Sequence, residues 1–242
     1  MDIPLTITNS LLASCVVMIG AILQGSVGIG LGFVAVPLLV LLDPIFIPGP
    51  LLIAALLLTL LLTYREHESI EFSGVHWAIV GRVVGTVLGA ILLTNIPQAK
   101  TSLLFGIIVL IAVLISLMGI RISISPYNLF GTGTLSGFMG TTSAIGGVPM
   151  ALIYQNLKGP HLRATLSGIF VIGTSISILS LIFIGRLGLP EVKRALVLFP
   201  GIMAGFVISK YTAKILDRGY IRLTVLILAT ISGFLIIIKN II

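Results

Sequence analysis

The sequence predicts an all-α, polytopic membrane protein made of two inverted structural repeats, each a broken-helix hairpin followed by three transmembrane helices. Three observations lead there. The 242 residues are 57% hydrophobic and only 9% charged, against about 25% charged in soluble domains, so a bilayer is the medium that suits the chain. Apolar segments joined by short loops fill it from end to end. Two glycine-rich breaks, one in each half, recur at matching spacing. No stretch is both long and polar enough to form a soluble domain, so residues 1–242 read as a single membrane domain, with repeat one about 1–124 and repeat two about 125–242.

The first apolar segment covers about residues 9–28 and meets the stretch GSVGIGLGFVAVP at 25–37; a shorter piece, 33–42, follows. Asp43, Pro44, Pro48 and Pro50 make a turn, and a span over 51–64 ends at the polar stretch YREHESIE, 64–71. Spans over 76–94 and 101–119 complete the half, and Arg121 to Pro126 connects to the second. There the scheme repeats. SPYN at 125–128 reads as a helix start, the segment from Tyr127 meets GFMGTTSAIGGVP at 137–149, and a short piece covers 150–156. A polar turn with Lys158, Gly159, Pro160, His161 and Arg163 leads to spans at 164–184, 194–216 and 221–239.

Landmarks align between the halves. A shift of 112 residues places Gly25 on Gly137, Gly28 on Gly140, Val36 on Val148 and Pro37 on Pro149, and a shift of 120 places Gly81 and Gly85 on Gly201 and Gly205. The same landmarks in the same order of segments indicate an internal repeat. Charge then orients it. The formal net charge is +7, with the cations set singly in short loops, the pattern of loops held on the cytoplasmic side and not of a nucleic-acid surface. If each glycine stretch lies within a single crossing, the cations divide seven against seven. If each forms a hairpin, Arg65, Arg82, Arg121, Lys158, Arg163, Lys210, Lys214, Arg218 and Arg222 fall on one side, nine against five. The hairpin reading makes the number of crossings per half odd, the repeats inverted, and both termini external.

Irregular backbone inside a bilayer is tolerated only where protein covers it or it lines a cavity. The breaks at Gly25, Gly28, Gly30, Gly32 and Pro37, and at Gly140, Gly146, Gly147 and Pro149, are therefore the candidate site. Broken helices offer free backbone N–H groups with the positive ends of their dipoles, which suit an anion. Gln24, Ser26, Thr141, Thr142 and Ser143 add neutral hydrogen-bonding side chains beside them. Gly81, Gly85 and Gly89, and Gly201 and Gly205, lie every four residues on one helix face and are assigned to helix packing.

Asp2, Asp43, Glu66, Glu68, Glu71, Glu191 and Asp217 all fall in loops or termini, so no carboxylate is left mid-span for a cation path or proton relay. Arg82 is the cation most nearly inside a span and is expected to snorkel to the interface. His67, His76 and His161 show no metal spacing. Cys15 lies in an apolar segment and reads as buried and inert, and Tyr154, Gln155 and Asn156 as interfacial. The N-terminus lacks the basic region of a cleaved signal. No HExxH, Walker sequence, intramembrane Asp pair or Ser–His pairing supports an enzyme, and no cofactor is called for.

QGSVGIGLGFVAVPLL in the first half and GFMGTTSAIGGVPMAL in the second resemble the TauE/SafE family of membrane permeases, often called sulfite exporters. The GxxxGxxxG span and the closing apolar helix of each half extend the resemblance over essentially the whole chain. Gly30-Leu31-Gly32 stands where many members have consecutive glycines. The resemblance implies a multi-pass transporter in the cell (plasma or inner) membrane for small sulfur-containing anions such as sulfite or organosulfonates. The partners expected are that anion and the lipid bilayer; a coupling ion (H+ or Na+) and a homo-oligomer are compatible with it, a nucleic acid is not. The alternatives are a passive anion channel and a non-transporting membrane subunit.

Overall fold

The computed structural model describes residues 7–97, 100–118, 122–157, 159–216 and 229–238, with the backbone alone for 214–216. Arg121, Lys158, Arg218, Arg222 and Lys239, which entered the charge count, lie outside the described residues, as do Asp2, Asp217 and the first part of the last expected span.

Every regular element among the described residues is helical. In chain order these are α1 (Ile7–Val27), α2 (Leu31–Leu42), α3 (Gly49–Glu66), α4 (Val75–Asn95), α5 (Thr101–Leu117), α6 (Pro126–Ser143), α7 (Gly147–Ile153), α8 (Pro160–Phe183), α9 (Leu189–Leu216) and α10 (Ala229–Ile238), with short 3-10 turns after α2 and α3. Five segments are long and apolar enough to cross a membrane: Ile7–Val27, Gly49–Ser69, Val75–Asn95, Pro160–Phe183 and Leu189–Ala213. The chain is a polytopic membrane protein. At 12 and 7 residues, α2 and α7 are too short for a hydrocarbon core about 30 Å thick.

Local chemistry sets the helix ends. Asp43 stops α2, its carboxylate accepting from Ile45 N at 3.0 Å. Ser125 caps α6 by accepting from Asn128 N at 3.3 Å, with Pro126 in the first helical position, so the helix start read from SPYN is present. The two breaks differ. The first is made by glycine, Gly28 and Gly30 holding φ of 95° and 145°. The second is made by Ala144, a non-glycine residue at φ 62°, while Gly146 has an ordinary right-handed φ of −77°. Ala144 N bonds to Gly140 O at 2.8 Å and Ile145 N to Met139 O at 3.3 Å, closing α6 in the manner usually reserved for glycine.

Four packing relations organise the bundle. Helix α4 runs parallel to α6: the glycine backbones of Gly81 and Gly85 press on the carbonyls of Phe130 and Thr134, and Gly89 lies against Phe138. Helix α1 runs parallel to α9 in the same way, with Gly201 on Ser14, Gly205 on Met18 and Ala21, and Gly25 on Ser209. A Cβ at most of these glycines would overlap the facing backbone, so the small-residue rows are what allows the close approach. Helix α3 runs antiparallel to α8, since Glu66 at its end pairs with Arg163 in the first turn of α8, while Leu52 near its start clusters with Leu181 and Leu187. Helices α5 and α10 are also antiparallel, with Gly106 against Ile236 and Gly233 against Leu110.

Charge is sorted by end. Arg65, Glu66, His161 and Arg163 gather where α3 ends and α8 begins. At the other end, Arg186 donates 2.7 Å bonds to the carbonyls of Leu93 and Ile96 at the close of α4. Glu66 corrects the expectation that every carboxylate sits in a loop: it is the last residue of α3, with its side chain only 11% exposed. Glu191 likewise lies in the first turn of α9, paired with Arg194 at 2.8 Å. Neither stands mid-span. Cys15 also departs from expectation, being exposed on the outer face of α1, because the inner face is taken by Ala13, Val17, Gly20 and Ala21.

Candidate functional site

The two breaks meet. The backbone at Gly32, in the first turn of α2, presses on the carbonyl of Ala144, and Gly147 lies 3.5 Å from Ile29 when a Cβ is added to it. Around the junction lies a cavity of about 670 Å³. Gly30, Leu31 and Gly32 open onto it from the start of α2, and Gly146 and Gly147 from the start of α7. The first-turn N–H groups of a helix have no intrahelical acceptor, so both amino ends turn donors toward the cavity. One is already used: Leu31 N donates to Gln24 Oε1 at 3.3 Å, which pins the glutamine side chain across the first break.

Among the described residues, Arg82 is the one charged residue lining this cavity. It is 2% exposed, and it does not snorkel. It sits about two turns into α4, and small residues on α6, on α8 and in the second break make room for its guanidinium. A Cβ at Gly173 on α8 would overlap Arg82 Nε, one at Gly146 would stand 3.2 Å from Nη1, and one at Gly140 on α6 3.6 Å from Nη2. Nη1 donates to Ser136 Oγ, which in turn donates to the carbonyl of Gly146, so the arginine is tied to the second break through one hydroxyl. The guanidinium carbon lies 5.1 Å from the Phe170 ring centroid. Nε has no hydrogen-bond partner and no carboxylate faces the group among the described residues. Burying a cation without a counter-charge costs several kcal/mol. An anion in the cavity would remove that penalty.

Of the residues singled out from sequence, Gln24, Gly30, Gly32, Gly140, Gly146 and Gly147 line the cavity. The others do not line it. Gly25 and Ser26 belong to the carboxyl end of α1, whose orphan carbonyls accept from arginines: Gly25 O from Arg65 Nη2 at 2.7 Å, Ser26 O from Arg163 Nη1 at 3.0 Å. Glu66 binds both, at 2.9 Å to Arg65 and 3.0 Å to Arg163, and Ser26 Oγ shares a 2.8 Å bond with Thr212. Gly28 packs on Arg163. Pro37 is buried inside α2, and Pro149 inside α7. Thr141 joins a hydroxyl cluster with Ser177 at 2.8 Å and Thr86 at 3.1 Å, one turn along α8 and α4 from Gly173 and Arg82. Thr142 and Ser143 bond back to carbonyls of their own helix.

Sequence reasoning missed Arg82, Phe170, Thr174, Thr59 and Ser116 as lining residues, and placed Gln155 at an interface when it lines the cavity. Tyr154, also expected at an interface, is fully buried against Met150, Leu166 and Ile169. Asn156 is exposed. The available signal for Arg82 was a lone cation eight residues into a 21-residue apolar helix. No group of three metal-ligating side chains occurs among the described residues.

Comparison with known proteins adds one finding. A family model described as sulfite exporter TauE/SafE matches residues 12–236, nearly the whole chain. Comparison with curated proteins found no match, and neither did comparison with solved structures.

Proposed function

The chain belongs to the TauE/SafE sulfite exporter family, and from that premise we propose that it carries a small anion across the cell membrane through the cavity where the two helix breaks meet. The anion is a sulfur-containing oxyanion or organosulfonate of the sulfite kind. Arg82 supplies its counter-charge, and the free N–H groups at the starts of α2 and α7 supply hydrogen bonds. The observation that carries the reading is the buried guanidinium of Arg82, without a carboxylate partner among the described residues, at the edge of a cavity of about 670 Å³.

The antiparallel settings of α3 against α8 and of α5 against α10, segments that correspond between the halves, support inverted repeats. So does the grouping of Arg65 with Arg163 at one end, which a single crossing per glycine stretch would have set on opposite faces. Inverted repeats around a central site suit alternating access, and transport, not catalysis, is the activity proposed. A coupling ion would have to be served by groups other than a mid-span carboxylate.

The test is uptake of labelled sulfite, sulfate and a sulfonate into proteoliposomes of the purified protein. Saturable uptake that falls at least tenfold in Arg82→Gln supports the reading. Uptake unchanged in that variant removes Arg82 from the site, and unitary conductance in place of saturable flux makes the protein a channel.

A further inference from the structure

A second ionic cluster stands outside the cavity, where α1 and α3 end and α8 begins. The Glu66 carboxylate sits there on two guanidinium groups. Its Oε1 accepts from Arg65 Nε at 3.1 Å, Arg65 Nη2 at 2.9 Å and Arg163 Nε at 3.0 Å, and its Oε2 accepts from Arg163 Nε at 3.0 Å. The side chains of Arg65, Arg163 and Glu66 are only 17%, 7% and 11% exposed. Each arginine is also held by groups other than Glu66. Arg65 donates to Gly25 O at 2.7 Å and Ser209 Oγ at 2.9 Å, and its guanidinium carbon lies 5.3 Å from the Phe206 ring centroid. Arg163 Nη1 donates to Ser26 O at 3.0 Å. The two cations would therefore keep their places if the carboxylate left.

This cluster borders the cavity. Val27, Ile29 and Leu162 line the cavity, and Gly28, between the first two, lies against Arg163, the neighbour of the third. Resting on the anion-transport reading above, we infer that Arg65 and Arg163 form a second anion station, which Glu66 occupies in this conformation and which the transported oxyanion takes by displacing it. Guanidinium groups bind carboxylates and other oxyanions through the same N–H donors, so the side chain stands in for the ligand. The amino end of the 24-residue α8 adds the positive end of its dipole. Glu66, by contrast, is the last residue of α3, at the negative end of that helix, where a carboxylate is disfavoured. The tethered occupant is thus one that an incoming anion can replace. His67 and Glu68 beside it are exposed, so the released carboxylate has water within reach.

The experiment reads thermal unfolding of the full chain in a neutral, lipid-free detergent, so that no lipid head group competes, with sodium sulfite against sodium gluconate at equal ionic strength. Glu66→Gln empties the station. Sulfite is expected to raise the melting temperature of this variant by roughly 3–5 °C for each tenfold excess over its Kd, beyond any shift in the parent. Combining Glu66→Gln with Arg163→Met is expected to remove the excess. In proteoliposomes Glu66→Gln, freed of its tethered competitor, is expected to take up labelled sulfite with a KM about threefold or more below the parent's. Equal sulfite shifts in Glu66→Gln and the parent overturn the station. A KM at or above the parent's overturns its place on the path. Arg82 is the same in every arm: if the parent takes up no sulfite the transport reading falls, while the melting contrast still decides whether the station exists. If Glu66→Gln is not recovered folded in either salt, Glu66→Asp, whose carboxylate is one methylene short of Arg163, takes its place with the same two outcomes.

Discussion

The guanidinium of Arg82 occupies the volume that a side chain at position 173 would need: a Cβ on Gly173 would overlap Nε. An arginine on α4 and the absence of a side chain on α8 are therefore one structural feature divided between two positions. Gly173→Ala should displace Arg82, lower thermal stability and depress anion uptake. In the Arg82→Met background the same substitution should cost much less, a coupling of roughly 1–3 kcal/mol in a double-mutant cycle of thermal unfolding. Additive losses would mean that the two positions do not share that space.

The carboxyl end of α1 is held by two arginines that share Glu66. Glu66→Gln removes the charge that balances both, and the expected destabilisation is on the order of 3 kcal/mol. Chemical unfolding in detergent would measure it. The loss should shrink when Arg163→Met is combined with it, because a cation no longer waits for its partner.

Glycines in α4 and α6 are not equivalent. A Cβ at Gly85 would run into the carbonyl of Thr134, whereas Gly131 has nothing within 4 Å of its would-be Cβ. Gly85→Leu should abolish recovery of folded protein. Gly131→Ala should be neutral or stabilising, by up to about 1 kcal/mol from helix propensity. Yield and melting temperature of the two variants, side by side, check the contrast.

Ala144 carries the second break with a left-handed φ of 62°, a conformation that costs an L-residue roughly 1–2 kcal/mol. Ala144→Gly should raise stability by up to about 1 kcal/mol, less what is lost to greater freedom in the unfolded chain. Ala144→Val should lower it, since a β-branched side chain tolerates that region least. Differential scanning of the purified variants reads both signs.

Helix spans were legible because their signal is local: apolar runs closed by proline, glycine or a lone charge. Both ends of α1 and α2 and the start of α6 lie within two residues of where sequence put them. The paired breaks were legible for the same reason. The position of Arg82 was not, because its burial depends on Gly140 of α6, Gly146 of the second break and Gly173 of α8, all 58 or more residues away. Thr141 and Ser143 stay off the cavity lining for the opposite reason. They are next to a break in sequence, but the turn of α6 directs one toward Thr86 and Ser177 and the other to its own backbone.

The parallel contacts of α1 with α9 bear on how such a chain is made. Ser14 finds Gly201, and Met18 finds Gly205, only after nearly two hundred intervening residues have been synthesised. Until then the inner face of α1, with Ala13, Val17, Gly20 and Ala21, has lipid or a provisional neighbour against it. Helix α1, made well before α9, thus waits long for its final seat, and chains shortened before residue 201 should expose that face to proteolytic quality control.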